Sequence, residues 1–417
     1  MNIERRDFLR ATALTALTSG VMLRGFPALC ESVEFARNVT YRGAYSNSRL
    51  IFERRKRGRV AFLGGSITEM DGYRPMVCDF LRARFPETEF DFIAAGVSST
   101  CSDVGAFRLA TDVLSRGQVD LFFVEYAVND DQDGRFDLTH SLRGMEGIVR
   151  HIRRANPNVD IVMTFFANEN LMAQYASGKV GTSIQAHSKV AERYDISTVN
   201  LCKEIQEEIA SGALTWQEYG GVHPAPRGNR ICADMIETIL TQRADGTELQ
   251  AHAMPEALDP YSYSNASWRG FDGVGTNAGV AITAGDALAQ GAFQLYEPDW
   301  SKIPGSFRSN FGGKPLLCGE RPGAELNFEF DGNALAFYIL AGPDAGMIEY
   351  AIDGGAPQRL NAFHDYSAGL HYPRAITLAD ALKDARHTVK LRLLDEKDSR
   401  SKGTALRILQ IAVNRGE

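Results

Sequence analysis

Cysteine is sparse and scattered in this chain: Cys30, Cys78, Cys101, Cys202, Cys232 and Cys318 form no C-x-x-C pair, and no histidine stands at metal-ligand spacing from them. A zinc site therefore has no support, and most of these residues read as buried thiols. Cys78, Cys202 and Cys232 fall inside or beside helix-like segments, where a small apolar side chain is the plain role. Positive charge is also short. A formal net charge of −7 argues against nucleic acid or anionic lipid as the main partner, because those need a basic face. A neutral or weakly charged substrate fits better. Internal repeats and low-complexity segments are missing as well. What is present is ordinary: 44% hydrophobic and 23% charged residues exclude both a disordered chain and a membrane bundle. At 417 residues the chain has room for two domains, each with its own core.

The first residues run Glu4-Arg5-Arg6-Asp7-Phe8-Leu9-Arg10, followed by an Ala- and Thr-rich, mildly apolar stretch over 11–23 that is too short to span a bilayer. Paired arginines ahead of such a stretch resemble a twin-arginine export signal, which implies a periplasmic or extracellular protein. Residues 1–30 are assigned to it, with cleavage near 25–32. Cys30 lacks a convincing lipobox, since Pro27-Ala28-Leu29 offers no small residue just before it. Residues 31–58 are an N-terminal extension of unassigned structure.

Over 59–242, short β-branched or aromatic runs alternate with amphipathic stretches. The runs are Val60-Ala61-Phe62-Leu63, Phe90-Asp91-Phe92-Ile93, Leu121-Phe122-Phe123-Val124, Ile161-Val162-Met163-Thr164-Phe165 and Thr198-Val199-Asn200-Leu201. Helical spacing recurs over 76–85, 138–154, 184–194 and 229–241. This βαβα order predicts a three-layer α/β domain with a parallel sheet, whose ligands bind at the carboxyl ends of the strands. Residues 243–262 are polar, carry Pro255 and Pro260, and read as a linker. Over 263–417 short strand-like runs are separated by Gly, Pro, Asn and Asp, with a hairpin signal at Asp353-Gly354-Gly355. That pattern predicts an all-β sandwich of jelly-roll type.

The first strand ends in Gly64-Gly65-Ser66-Ile67-Thr68. A serine there stands at the ligand end of the sheet, but it is not a Gly-x-Ser-x-Gly elbow, because Thr68 holds the place of the second glycine. Taken alone, Ser66 is as good a helix cap as a nucleophile. It keeps ordered company, however. Ala94-Ala95-Gly96-Val97-Ser98 follows the second strand, Ala127-Val128-Asn129-Asp130 follows the third, and Gly221-Val222-His223-Pro224 precedes the last helix. Ser, Gly, Asn and His in that order resemble the four blocks of the SGNH/GDSL hydrolases. The resemblance implies a flavodoxin-like α/β domain in which Ser66 is the nucleophile and His223 its base. It also implies an oxyanion hole made by the backbone N–H of Ser66 and Gly96 and the side chain of Asn129.

Two departures stand against the pattern. The third block begins with Ala127 rather than glycine. More seriously, the family's catalytic aspartate lies three residues before the histidine, where this chain has Gly220. Loss of such an orienting group can cost a serine hydrolase roughly ten-thousand-fold in rate, so a substitute is expected. Glu218 is the nearest carboxylate in sequence; a backbone carbonyl is the other candidate, as in carbohydrate esterases with a Ser-His dyad. Asp130, Asp131 and Asp133 read as loop carboxylates and helix caps, or as residues at the mouth of the site, with Asp130 the candidate for lining the substrate. In the second domain, His364-Asp365-Tyr366-Ser367 and Leu370-His371-Tyr372-Pro373-Arg374 are either ordinary turn chemistry or a stretch that packs against the catalytic domain and lines its cleft, with His371 and Arg374 toward substrate.

The parts list is similar to that of bacterial carbohydrate esterases, which implies deacetylation of an O-acylated oligo- or polysaccharide with no metal or organic cofactor. A lipase, arylesterase or thioesterase acting on small acyl esters uses the same chemistry, and a non-catalytic glycan-binding protein with a decayed site is the alternative from another class. Neither nucleic acid nor integral membrane association is implied, and the sequence leaves the oligomeric state open.

Overall fold

The central strands of the first half are buried on both faces, which is why they read as unbroken apolar runs rather than alternating ones. In the computed structural model, which describes residues 36–42, 45–242, 246–269, 280–282 and 293–416, six strands form the first sheet. They are β1 (Val39–Thr40), β2 (Arg57–Gly64), β3 (Glu89–Gly96), β4 (Leu121–Val124), β5 (Asp160–Thr164) and β6 (Ser197–Val199). Their order is β1-β6-β5-β4-β2-β3, parallel throughout except for β1, which runs antiparallel to β6. The chain steps from β2 to β3 on one side and to β4 on the other. The crevice at such a reversal opens at the carboxyl ends of β2 and β4. Register sets those ends level, with Gly64 opposite Gly96 and Leu63 opposite Val124.

The expected helices are present as Tyr73–Arg84, Leu138–Ala155, Thr182–Arg193 and Pro226–Leu240. The last expected strand is shorter than its apolar run. The Asn200 side chain accepts from the Lys203 N–H and so starts the helix Leu201–Ser211. The assigned export signal lies outside the described residues. Part of the extension that follows is ordered: β1 and the helix Ser46–Arg55 pack on the sheet. Cys78, Cys101, Cys202, Cys232 and Cys318 are buried free thiols. Among the described residues no helix is long and apolar enough to cross a membrane.

Residues 246–262 are not a free tether. Glu146, buried in the helix Leu138–Ala155, accepts from the N–H groups of Leu258 (2.6 Å) and Asp259 (3.1 Å) and from Tyr194 (2.7 Å). His252 meets Asp160 at 2.9 Å, and Asn47 bonds the Gln250 backbone in both directions at 2.8 and 2.9 Å. The segment is thereby strapped along the α/β domain.

Beyond it lie β7 (Ser267–Arg269), β8 (Val280–Ile282), β9 (Gln294–Tyr296), β10 (Leu316–Gly319), β11 (Glu325–Gly332) and β12 (Ala334–Ala341). Next come β13 (Met347–Ile352), β14 (Gln358–Asn361), β15 (Tyr372–Ala379), β16 (Ala385–Leu393) and β17 (Leu406–Asn414). Two antiparallel sheets, β15-β12-β17-β10-β9 with β7 on β17, and β14-β13-β16-β11-β8, face each other. The nested pairs β10·β17, β11·β16, β12·β15 and β13·β14 are those of a jelly roll. At the hairpin signal, Asp353 (φ 52°) and Gly354 (φ 69°) make the tight turn.

β12 is buried along its whole length because it serves two cores. Leu335, Phe337, Ile339 and Ala341 enter the sandwich, while Ala334 and Ala336 join the core of the α/β domain, and Tyr338 and Leu340 pack with Val104. Phe107 stacks on Trp268 (5.7 Å), and Trp268 on Tyr338 (5.3 Å), carrying an aromatic stack across the boundary. Each such ring pair adds about 0.5–1.5 kcal/mol to its burial, so the two domains dock firmly. The helix Ser102–Asp112 escapes detection in the sequence for this reason. Residues 102–109 are all buried, so it shows no polar face.

Candidate active site

β2 ends at Gly64, and the chain turns at Gly65 into a short helix, Ser66–Glu69. The N–H of Ser66 sits at the first helical position, where no intrahelical carbonyl can reach it. From the other end of the domain, His223 approaches on the loop before the helix Pro226–Leu240. Its Nε2 lies 2.8 Å from Ser66 Oγ. The histidine is exposed, and Asn229 steadies its loop, donating from Nδ2 to the carbonyls of Pro224 (2.5 Å) and Ala225 (3.1 Å).

Close packing explains the glycines. A Cβ at Gly96 would stand 2.1 Å from the Glu69 backbone nitrogen, so only glycine lets the loop after β3 pass the serine helix. A Cβ at Gly65 would stand 2.2 Å from Asn129 Oδ1, which places that amide directly against the serine loop. Asn129 ends the short helix Ala127–Asn129 after β4 and is 3% exposed. Its Nδ2 donates to Asp133 Oδ2 at 2.7 Å, while its Oδ1 finds no partner. Ser66, Gly96, Asn129 and His223 therefore meet at one edge of the sheet, and Ala127 in place of glycine is accommodated in the core.

Three expectations are corrected. Glu218 does not orient His223. It closes a capping box with Thr215, accepting from its N–H at 2.8 Å, and pairs with Arg227 at 3.2 Å. Among the described residues His223 has no hydrogen-bond partner besides Ser66. Asp130 does not line a cleft; fully buried, it accepts from Ser102 N (2.8 Å) and Oγ (2.7 Å) and meets His187 Nε2 at 3.0 Å. His371 points into the β domain, where its Nε2 donates to the Pro304 carbonyl at 3.1 Å. Arg374 does face the domain boundary, near Cys101 and Tyr372, and burial pulls its guanidinium below the ordinary range. Asp131 bonds Asn168 and Asn170.

Two buried charges under the site escape sequence reasoning. Glu125 accepts from Gly65 N–H (2.9 Å) and Thr68 Oγ1 (2.7 Å), and burial raises its pKa to about 7 against those bonds. Arg108 donates to the carbonyls of Gly64 (2.9 Å) and Ala95 (2.6 Å), tying the ends of β2 and β3 together. The signal for both was a charge inside or beside an apolar run, and it becomes specific only once the ends of the strands are known to converge.

A hydroxyl within hydrogen-bond reach of an imidazole, beside an orphan N–H and a buried amide, is an arrangement capable of acyl transfer. Residues 62–231 match the model of the GDSL-like Lipase/Acylhydrolase family; the chain is a carboxylic ester hydrolase. Its fold is similar to the crystal structure of a two-domain esterase (CEX) active on acetylated mannans, co-crystallized with mannopentaose. That match has 20% identity over 92% of this chain and 98% of the other, with a TM-score of 0.70. A second crystal structure of a two-domain esterase so described agrees equally, at 20% identity, 92% and 99% coverage and TM-score 0.70. No curated protein matches the chain.

Proposed function

We propose that the chain is an exported serine esterase that removes acetyl groups from an O-acetylated glycan through a Ser66-His223 dyad. The 2.8 Å approach of Ser66 Oγ to His223 Nε2 carries this reading. Ser66 attacks the acyl carbonyl while His223 takes its proton, then returns it to the departing sugar hydroxyl. Water activated by the same imidazole releases acetate from the acyl-enzyme. The N–H groups of Ser66 and Gly96 and the amide of Asn129 receive the oxyanion, each lowering the barrier by about 3 kcal/mol.

A polymeric sugar is favoured as substrate by the two-domain fold, shared over nearly the whole chain with an esterase active on acetylated mannans, and by the net negative charge. Export is read from Arg5-Arg6 and the weakly apolar stretch after them. Hydrolysis of p-nitrophenyl acetate by wild type and Ser66→Ala tests the chemistry, and acetate release from acetylated mannan tests the substrate. The variant should lose activity by about a thousand-fold or more. Equal rates would point to a glycan-binding protein, and preference for long acyl chains to a lipase.

A further inference from the structure

The amide of Asn129 is held through a chain of contacts that reaches outside its own domain. Its Nδ2 donates to Asp133 Oδ2 at 2.7 Å, and the other oxygen of that carboxylate accepts from the Tyr372 hydroxyl of β15 at 2.9 Å. His364 Nε2 lies 3.2 Å from the Asp133 carbonyl, and Asp365 pairs with Arg135. The loop that carries Asn129 and Asp133 is thus gripped at three successive points by the β domain. The loop after β3 is gripped too, since Arg308 donates to the Ser98 carbonyl (2.6 Å) and Ser99 Oγ (2.8 Å).

Asp133 is oddly equipped for a structural ion. It is half-buried, and among the described residues its carboxylate bonds no arginine or lysine; the neutral donors Tyr372, Asn129 and Gln132 hold it. Burying a carboxylate this way is costly, and it leaves Asn129 Oδ1 an unpaired buried acceptor. An amide free to choose would turn over to satisfy its oxygen. With an ionised carboxylate opposite, that turn would set acceptor against acceptor. Asp133 therefore locks the nitrogen end toward itself, with Oδ1 the end nearest Gly65, and leaves the second N–H of the same nitrogen for the oxyanion.

We propose that Tyr372 and Asp133 are positioning residues for ester cleavage: the β domain, through Tyr372, fixes Asp133, and Asp133 fixes the donor end of the Asn129 amide. This rests on Asn129 serving the oxyanion in the reading above.

A double-mutant cycle on the full chain, with p-nitrophenyl acetate as substrate, tests it. Asn129→Ala should lower kcat about a hundred-fold or more. Tyr372→Phe should lower kcat about ten-fold with KM unchanged. In the Asn129→Ala background, Tyr372→Phe should cost nothing further, because its effect runs through the missing amide. Asp133→Asn, which keeps a carbonyl acceptor, should retain more activity than Asp133→Ala, and covers the case in which Tyr372→Phe fails to fold. If Tyr372→Phe is silent, or multiplies with Asn129→Ala, the relay is wrong while the ester-cleaving site stands. An Asn129→Ala enzyme with unchanged kcat would remove the oxyanion reading itself, and the relay with it.

Discussion

Glu125 lies beneath the Ser66 loop with one oxygen bound to Gly65 N–H and Thr68 and the other unpartnered. Burial outweighs those bonds and the nearby Arg108, lifting its pKa from 4.5 to about 7. The folded protein then holds this proton more tightly than the unfolded chain does. The contribution to stability is present in full below pH 4.5 and is lost as pH rises to about 7. Glu125→Gln keeps an acceptor for Gly65 but cannot ionise. Urea unfolding midpoints of this variant should lack the part of the pH slope that wild type shows over that window, and an unchanged slope would place the proton elsewhere.

The turn between the helix Trp216–Tyr219 and His223 shows why glycine, and not aspartate, stands three residues before the histidine. Gly220 and Gly221 have φ of 110° and 78°, and a Cβ at 220 would stand 2.0 Å from the Ala225 backbone nitrogen. An aspartate there is excluded by both conformation and space, so this loop brings in the histidine by a path the aspartate-bearing pattern cannot follow. Gly220→Asp should lower stability by about 1–3 kcal/mol from strain alone, before the clash, and should not raise kcat. Calorimetry with kinetics decides this; a stable, faster variant would contradict it. Glu218 was a reasonable expectation from nearness in sequence, yet at three residues past Thr215 it meets the requirement of a capping box instead. The parallel sheet, the jelly roll and the four converging blocks were legible because each rests on local signals: apolar runs, turn residues, glycines at strand ends. Asp130, Asp133 and Tyr372 were not separable by such signals. Three aspartates in one loop look alike until tertiary contacts assign one to Ser102 and His187, one to Asn168 and Asn170, and one to Asn129.

Charge as well as packing crosses between the two domains. His140 sits between Asp103 of the α/β domain (3.4 Å) and Asp380 of the β domain (3.7 Å), with Phe136 against its ring. Burial disfavours its charge, but the hydrogen bonds and charges of the two aspartates win and raise its pKa from 6.5 to about 9. This contribution is complete below pH 6.5 and disappears as pH rises through about 9. His140→Gln should flatten the loss of stability over that range in pH-dependent thermal unfolding; a wild-type profile would show that the ring is not the bridging charge. In the proposed mechanism this scaffolding serves the hydroxyl of Ser66 and the imidazole beside it. Capture by a fluorophosphonate, read by peptide mass spectrometry, examines that pair without knowledge of the natural ester. The phosphonyl group should appear on the peptide containing Ser66 in wild type and be nearly absent in His223→Ala. Labelling at another serine, or undiminished labelling without His223, would contradict the account.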